Sequence, residues 1–147
     1  MSIDLHRETK PHSPRKQVWV LVVEDETLIR LLAADILRDA GFEVVAASHA
    51  GEALTILKST DQIDFVLTDI MMPGSMNGIA LGDWIRIHRP GLPVAFCSGV
   101  LRSKLAQLGL KEEETFFPKP VAFDRLVQHI RAVVSEDRDT LQAAAGG

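Results

Sequence analysis

The sequence predicts an α/β protein built as an open parallel sheet with helices on both faces, and three observations carry that expectation. Short apolar runs alternate with stretches of helical periodicity five times along 147 residues. The runs are nearly continuous rather than alternating, as expected of strands covered on both faces. Charged and hydroxyl residues follow directly on the ends of the runs, where open parallel sheets place their functional crevice.

Each element can be justified in turn. "VWVLVV" (Val18–Val23) reads as the first strand, and Leu28, Leu31, Leu32, Ile36 and Leu37 recur at helical spacing until Gly41, a natural helix stop. "FEVVAA" (Phe42–Ala47) is the second strand, and Ala53, Leu54 and Leu57 mark the second helix. "DFVLT" (Asp64–Thr68) is the third strand, followed by a loop over Asp69–Gly78. Leu81, Trp84, Ile85 and His88 then line one face of a third helix that ends before Pro90. "LPVAFC" (Leu92–Cys97) is the fourth strand, a short helix covers Arg102–Leu108, and "TFF" (Thr115–Phe117) is a brief fifth strand. Phe123, Leu126, Val127, Ile130, Val133 and Val134 define the last helix.

The pattern gives one domain over residues 17–135, with an N-terminal tail over 1–16 and a C-terminal tail over 136–147. No output domain is expected after the last helix. The longest apolar run is far shorter than the roughly 20 residues of a membrane span, and no signal-peptide core precedes it, so a cytoplasmic protein is expected. The single cysteine, Cys97, cannot form an internal disulfide and reads as a small buried hydrophobe.

The net charge is −4, but residues 1–16 hold four basic and two acidic side chains, leaving 12 basic against 18 acidic in the rest. An acidic body disfavours nucleic acid as a partner, because phosphate contacts need a basic face. The five histidines show no metal-ligand spacing.

The strand ends assemble a coherent chemistry. The first strand ends in Glu24 and Asp25, the third in Asp69, the fourth in Ser98, and the fifth leads through Pro118 to Lys119. Carboxylates within about 4 Å of each other repel by roughly 4 kcal/mol per pair at an effective dielectric near 20. A bound cation relieves that repulsion, and an oxygen-only donor set suits Mg²⁺, with Mn²⁺ as an alternative. Mg²⁺ held by one or two carboxylates typically completes its shell with a phosphate oxygen, and an Asp can itself be the nucleophile that forms an aspartyl phosphate. Asp69 is therefore the candidate phosphoacceptor, with Lys119 and Ser98 completing a cradle for phosphoryl oxygens.

"VLVVEDE", "DFVLTDIMMPG", "LPVAFCSG" and "FFPKP", in this order and spacing, resemble the receiver (CheY-like) domain of bacterial two-component response regulators, over about Val18 to Val134. The resemblance implies a flavodoxin-like fold with strand order 2-1-3-4-5 and phosphoryl transfer from a histidine kinase or a histidine phosphotransfer protein to Asp69. By position, Asp25 and Asp69 would bind Mg²⁺ directly together with the backbone carbonyl of Met71. Glu24 would act mainly through water, Ser98 would be the switch hydroxyl and Lys119 the phosphate-contacting lysine. Phe116 would be the aromatic switch residue, and the bond before Pro120 would be cis. A stand-alone receiver would signal through phosphorylation-dependent contacts made by the fourth helix, fifth strand and fifth helix. It would otherwise act as a phosphate sink or relay, or as a binding module independent of phosphorylation.

The chain departs from the usual pattern in three places. Glu24 stands where Asp is commoner, the loop "PGSMNG" (Pro73–Gly78) is one residue longer than usual, and Phe116 lacks a hydroxyl. "FCSGV" (Phe96–Val100) is also similar to the signature of the stand-alone FATGUY group of receivers, with Cys97, Ser98 and Val100 in place of three of its letters.

Rival chemistries fail on particular residues. A haloacid-dehalogenase-type phosphatase needs a second Asp two positions after the nucleophile, and Met71 stands there, so turnover as an enzyme is not expected. A flavodoxin needs a hydroxyl- and glycine-rich phosphate loop after the first strand, where this chain has "EDE".

Overall fold

The protein was described from a computed structural model, which covers the backbone of residues 17–146 and side chains as far as 135. Five strands, β1 (Trp19–Val23), β2 (Glu43–Ala47), β3 (Phe65–Asp69), β4 (Val94–Ser98) and β5 (Thr115–Pro118), alternate with five helices. The helices are α1 (Thr27–Asp39), α2 (Ala50–Ser59), α3 (Gly78–His88), α4 (Arg102–Ala106) and α5 (Phe123–Gly146). All pairings are parallel, and the sheet order is β2-β1-β3-β4-β5, a flavodoxin-like (βα)5 arrangement.

The period of two along each strand decides which helices cover which face. Val20, Val22, Phe65, Leu67, Ala95 and Cys97 point to one side and pack with Ala33 and Leu37 of α1 and Leu126 and Ile130 of α5. Leu21, Val23 and Val66 point to the other and pack with Ala53 and Leu57 of α2 and Leu81 and Ile85 of α3. A smaller cluster of Ile70, Phe96, Leu105 and Leu110 carries α4. Gly41 ends α1 as expected: at φ +102° it lets its own N–H reach the Arg38 carbonyl and the Phe42 N–H reach the Leu37 carbonyl.

Along α1, Leu28, Leu31 and Leu32, which recur at helical spacing, are 80%, 54% and 55% exposed, and the buried face is Ala33, Ala34 and Leu37. The helix lies close to the sheet through its alanines, and the larger side chains are turned outward. The C-terminal tail expected from residue 136 is instead a continuation of α5 to Gly146. The residues from Glu136 to Ala145 are dominated by helix formers and contain neither Pro nor Gly, so nothing stops the helix at Ser135. The N-terminal tail over 1–16 lies outside the described residues. Among the described residues no helix is long and apolar enough to cross a membrane.

Candidate functional site

The strand order reverses between β1 and β3, so their carboxyl ends open side by side into one crevice. The register carries Val23 opposite Thr68 and Asp69 opposite Cys97, which brings Glu24, Asp25, Asp69 and Ser98 to the same edge. One carboxylate oxygen from each of Glu24, Asp25 and Asp69 lies within 4.8 Å of the others. Glu24 and Asp69 are 3% and 4% exposed, while Asp25 is the most open of the three.

Lys119 closes the crevice from β5. Its Nζ donates to Glu24 Oε1 at 2.7 Å and to Asp69 Oδ2 at 3.0 Å, joining residues 95 and 50 positions away in the chain. The Lys119 N–H donates to the Ser98 carbonyl at 2.9 Å, and the Lys119–Pro120 bond is cis. Glu24 uses its second oxygen to accept from the Glu26 N–H at 3.1 Å. Its carboxylate is therefore already engaged at both oxygens.

Burial pushes the Asp69 carboxyl up to about 6, with Glu24 and Asp25 adding to the rise and the hydrogen bond from Lys119 opposing it. Burial alone would depress Lys119, but hydrogen bonds to Glu24 and Asp69 outweigh it and hold its pKa above the usual lysine range. Cys97, beside the site, is pushed up to about 12, chiefly by burial, and is held as a neutral thiol.

The donor set fits a hard divalent cation. Three carboxylates converge, all their donor atoms are oxygen, and a single lysine stands against them.

The remaining expected residues fall at graded distances from the chemistry. Ser98 is buried at the end of β4, and its hydroxyl accepts from the Val100 N–H at 3.0 Å. Met71 follows Asp69 by two positions, with its side chain half exposed. Phe116 is half-buried against the Ile70, Phe96, Leu105 and Leu110 cluster, away from the carboxylates, with the Arg102 guanidinium 5.5 Å from its ring.

Gly78 was not singled out from the sequence, and it has a structural duty at the site. A Cβ there would run into the Asp69 carbonyl oxygen, and the Gly78 N–H donates to the Ile70 carbonyl at 2.9 Å. Only glycine lets the start of α3 come this close to the end of β3, and Asn77 caps the helix by accepting from the Ala80 N–H. A glycine directly after Asn is the available sequence signal, but it is indistinguishable from an ordinary turn pair.

Fold and site together define an open five-stranded α/β module with an acidic crevice at its switch point and a lysine bridging two of its carboxylates. Residues 20–131 match the response regulator receiver domain family, and the chain belongs to that family, a component of bacterial two-component systems. DctD, a C4-dicarboxylate transport transcriptional regulatory protein of Rhizobium meliloti, is 35% identical over 132 residues, which cover 85% of this chain and 28% of that protein. The sensor kinase CckA of Brucella abortus is 29% identical over 119 residues, covering 80% of this chain and 12% of that protein. The crystal structure of a response regulator receiver protein from Sinorhizobium medicae matches with a TM-score of 0.74 at 28% identity, over 83% of this chain and 98% of that one. The chain spans little more than half, or less, of the length of the curated relatives it matches.

Proposed function

We propose that Asp69 accepts a phosphoryl group from the phosphohistidine of a histidine kinase or histidine phosphotransfer protein, and that the phosphorylated chain signals through protein contacts. The observation that carries this reading is Lys119 Nζ bridging Glu24 and Asp69 inside a buried carboxylate cluster. An Asp69 carboxylate oxygen attacks phosphorus, the bond from phosphorus to the donor imidazole breaks, and an aspartyl phosphate forms as the imidazole leaves with the electron pair. Asp69 Oδ2 already holds Lys119, and Oδ1 accepts no hydrogen bond among the described residues, so Oδ1 is the free nucleophile or metal ligand. Lys119 then follows the charge outward from the Asp69 carboxylate to a phosphoryl oxygen.

Asp25 and Asp69, with the Met71 carbonyl, would hold Mg²⁺ or Mn²⁺, which when bound neutralises charge on the transferring phosphoryl oxygens. The engagement of both Glu24 oxygens supports a role through water for that residue. The chain is a stoichiometric acceptor rather than a turnover enzyme, since Met71 stands where an acid/base would be needed.

The donor docks over α1. Leu28, Leu31 and Leu32 are exposed there, beside a groove of about 340 Å³ whose lining includes Ile29, Leu32, Val121, Phe123, Glu24 and Lys119. Output runs through the face of α4, β5 and α5. Ser98 leaves the Val100 N–H for the phosphoryl group, the loop before α4 follows, and Phe116 repacks. A shift from 1:99 to 99:1 between the two states needs about 5.5 kcal/mol of differential stabilisation. A relay or phosphate-sink role is the second reading, favoured by the similarity to a stretch of the sensor kinase CckA.

Intact-mass measurement after incubation with acetyl phosphate tests the first step. One phosphoryl adduct is expected with Mg²⁺, and none with a chelator or in Asp69→Ala. A folded, Mg²⁺-binding protein that gains no adduct from acetyl phosphate or from a phosphorylated kinase would leave a binding module independent of phosphorylation. Capture of a partner only by the phosphorylated form supports the switch. Return of the phosphoryl group to a phosphotransfer protein without such a partner supports the relay.

A further inference from the structure

Beyond Val23 the backbone leaves the sheet, yet the two residues that follow must present their carboxylates as a pair. The register of β1 with both neighbours ends at Val23. The Glu24 N–H still finds the Ala47 carbonyl at 3.0 Å, but the carbonyls of Glu24 and Asp25 have no strand partner in that register. Both are met by one side chain. Arg30 Nη1, reaching back from the first turns of α1, donates to the Glu24 carbonyl at 2.8 Å and to the Asp25 carbonyl at 3.4 Å. The Arg30 N–H is itself fixed by the Glu26 carbonyl at 2.9 Å, so the guanidinium is delivered by a formed helix.

Among the described residues Arg30 makes no ion pair, although Glu24, Asp25 and Glu26 all lie within six positions of it. Its recorded hydrogen bonds go to the backbone of the acidic pair instead. That placement puts a donor where it can hold peptide-plane orientation, and hence the direction of both side chains, without competing for their oxygens.

We propose that Arg30 is a positioning residue for the metal site, clamping the two carbonyls after β1 so that Glu24 and Asp25 face Asp69 as a preformed ligand set. This rests on reading the carboxylate cluster as a Mg²⁺ site. The charge of Arg30 and its hydrogen bonds act in opposite directions on a bound cation. As a nearby positive charge it weakens cation binding, whereas as a clamp it strengthens it by preorganising the ligands. The hydrogen bonds act on the ligands' own backbone, and the clamp requires that their effect exceed that of the charge.

Titration calorimetry with Mg²⁺ on the metal-free protein separates the two effects. Arg30→Gln removes charge and clamp together, and its Mg²⁺ affinity is expected to fall by about tenfold or more, the usual effect of losing a group that orients a ligand. Arg30→Lys keeps the charge but offers a single ammonium for two carbonyls, and falls between Arg30→Gln and wild type. Arg38→Gln, which removes the same charge from the last turn of the same helix, is expected to keep wild-type affinity. Unchanged or tighter binding by Arg30→Gln overturns the proposal and leaves the metal site standing. If Arg30→Gln does not melt cooperatively in chelator, Arg30→Lys decides alone, and wild-type affinity in that variant overturns the clamp. Failure of the wild-type protein to bind Mg²⁺ overturns the metal reading of the site, and the role of Arg30 with it.

Discussion

The carboxyl-terminal edge of the sheet and the first half of α1 invert the usual distribution of side chains in opposite senses. At the sheet edge, Glu24, Asp69 and Ser98 are buried polar groups in a module whose core is otherwise almost wholly apolar. On α1, Leu28, Leu31 and Leu32 are large aliphatic groups left in water a few residues away. Burying a charge is costly unless it is paired, and leaving a cluster of leucines exposed forgoes about 1.5–3 kcal/mol for each one that could have been buried. The two anomalies adjoin each other through the groove between α1 and Lys119. The proposed function assigns the chemistry to the polar edge and the docking of the phosphoryl donor to the apolar helix face.

Truncating leucines on the two faces of α1 should give opposite results. Leu37→Ala, at a fully buried position, is expected to cost about 3–4 kcal/mol in denaturant unfolding. Leu28→Ala should stay within about 0.5 kcal/mol of wild type while slowing phosphoryl transfer from a kinase and leaving transfer from acetyl phosphate unchanged. A large stability loss at Leu28, or equal slowing with both donors, would refute the docking role of that face.

Removing the cation from the polar edge comes next. Lys119→Met leaves Glu24 buried without its partner, and a loss of about 3 kcal/mol is expected in the metal-free protein. Mg²⁺ should recover much of it, because it offers the stranded carboxylates a new partner. A variant as stable as wild type in chelator would show that the lysine bridge contributes little.

Asp69 should have the reverse sign. Its carboxyl is held near 6 in the folded protein and lies at about 3.8 when unfolded, so the folded state binds the extra proton between those values. The contribution of this group to stability is full below about pH 4 and is lost as pH rises through about 6. In chelator at pH 7, Asp69→Asn is therefore expected to stabilise the fold by about 1–2 kcal/mol and to flatten its stability between pH 4 and 6. Saturating Mg²⁺ should reverse the order of wild type and variant. Destabilisation by Asp69→Asn in chelator would mean that Lys119 fully compensates the buried charge.

The smallest effect expected is at Cys97. Buried at 4% exposure with its thiol pushed up to about 12, it should resist thiol reagents in the native protein and react only on unfolding. Fast native labelling would instead mark the adjacent groove as open down to the sheet.

The gap between the sequence reading and the structure follows the same division. The strands were legible because continuous apolar runs report burial on two faces, and each strand matches its run to within two residues at either end. Glu24, Asp25, Asp69, Ser98 and Lys119 were legible because strand ends in an open parallel sheet converge, whatever the loops between them do. The exposure of Leu28, Leu31 and Leu32 was not legible, because helical spacing marks an apolar face without saying what covers it. Alanines 33 and 34 bring α1 close enough to the sheet to fill that space.

Element order, the parallel sheet, the acidic strand ends and the lysine that follows the fifth strand are all written in the chain. These depend on local hydrophobic period and on residue type. The tertiary structure alone decided that Lys119 bonds both Glu24 and Asp69, that Gly78 must lack a side chain beside the Asp69 carbonyl, and that Arg30 holds the carbonyls of the acidic pair. Contacts of that kind join groups whose distance is set by packing, and periodicity carries no record of it.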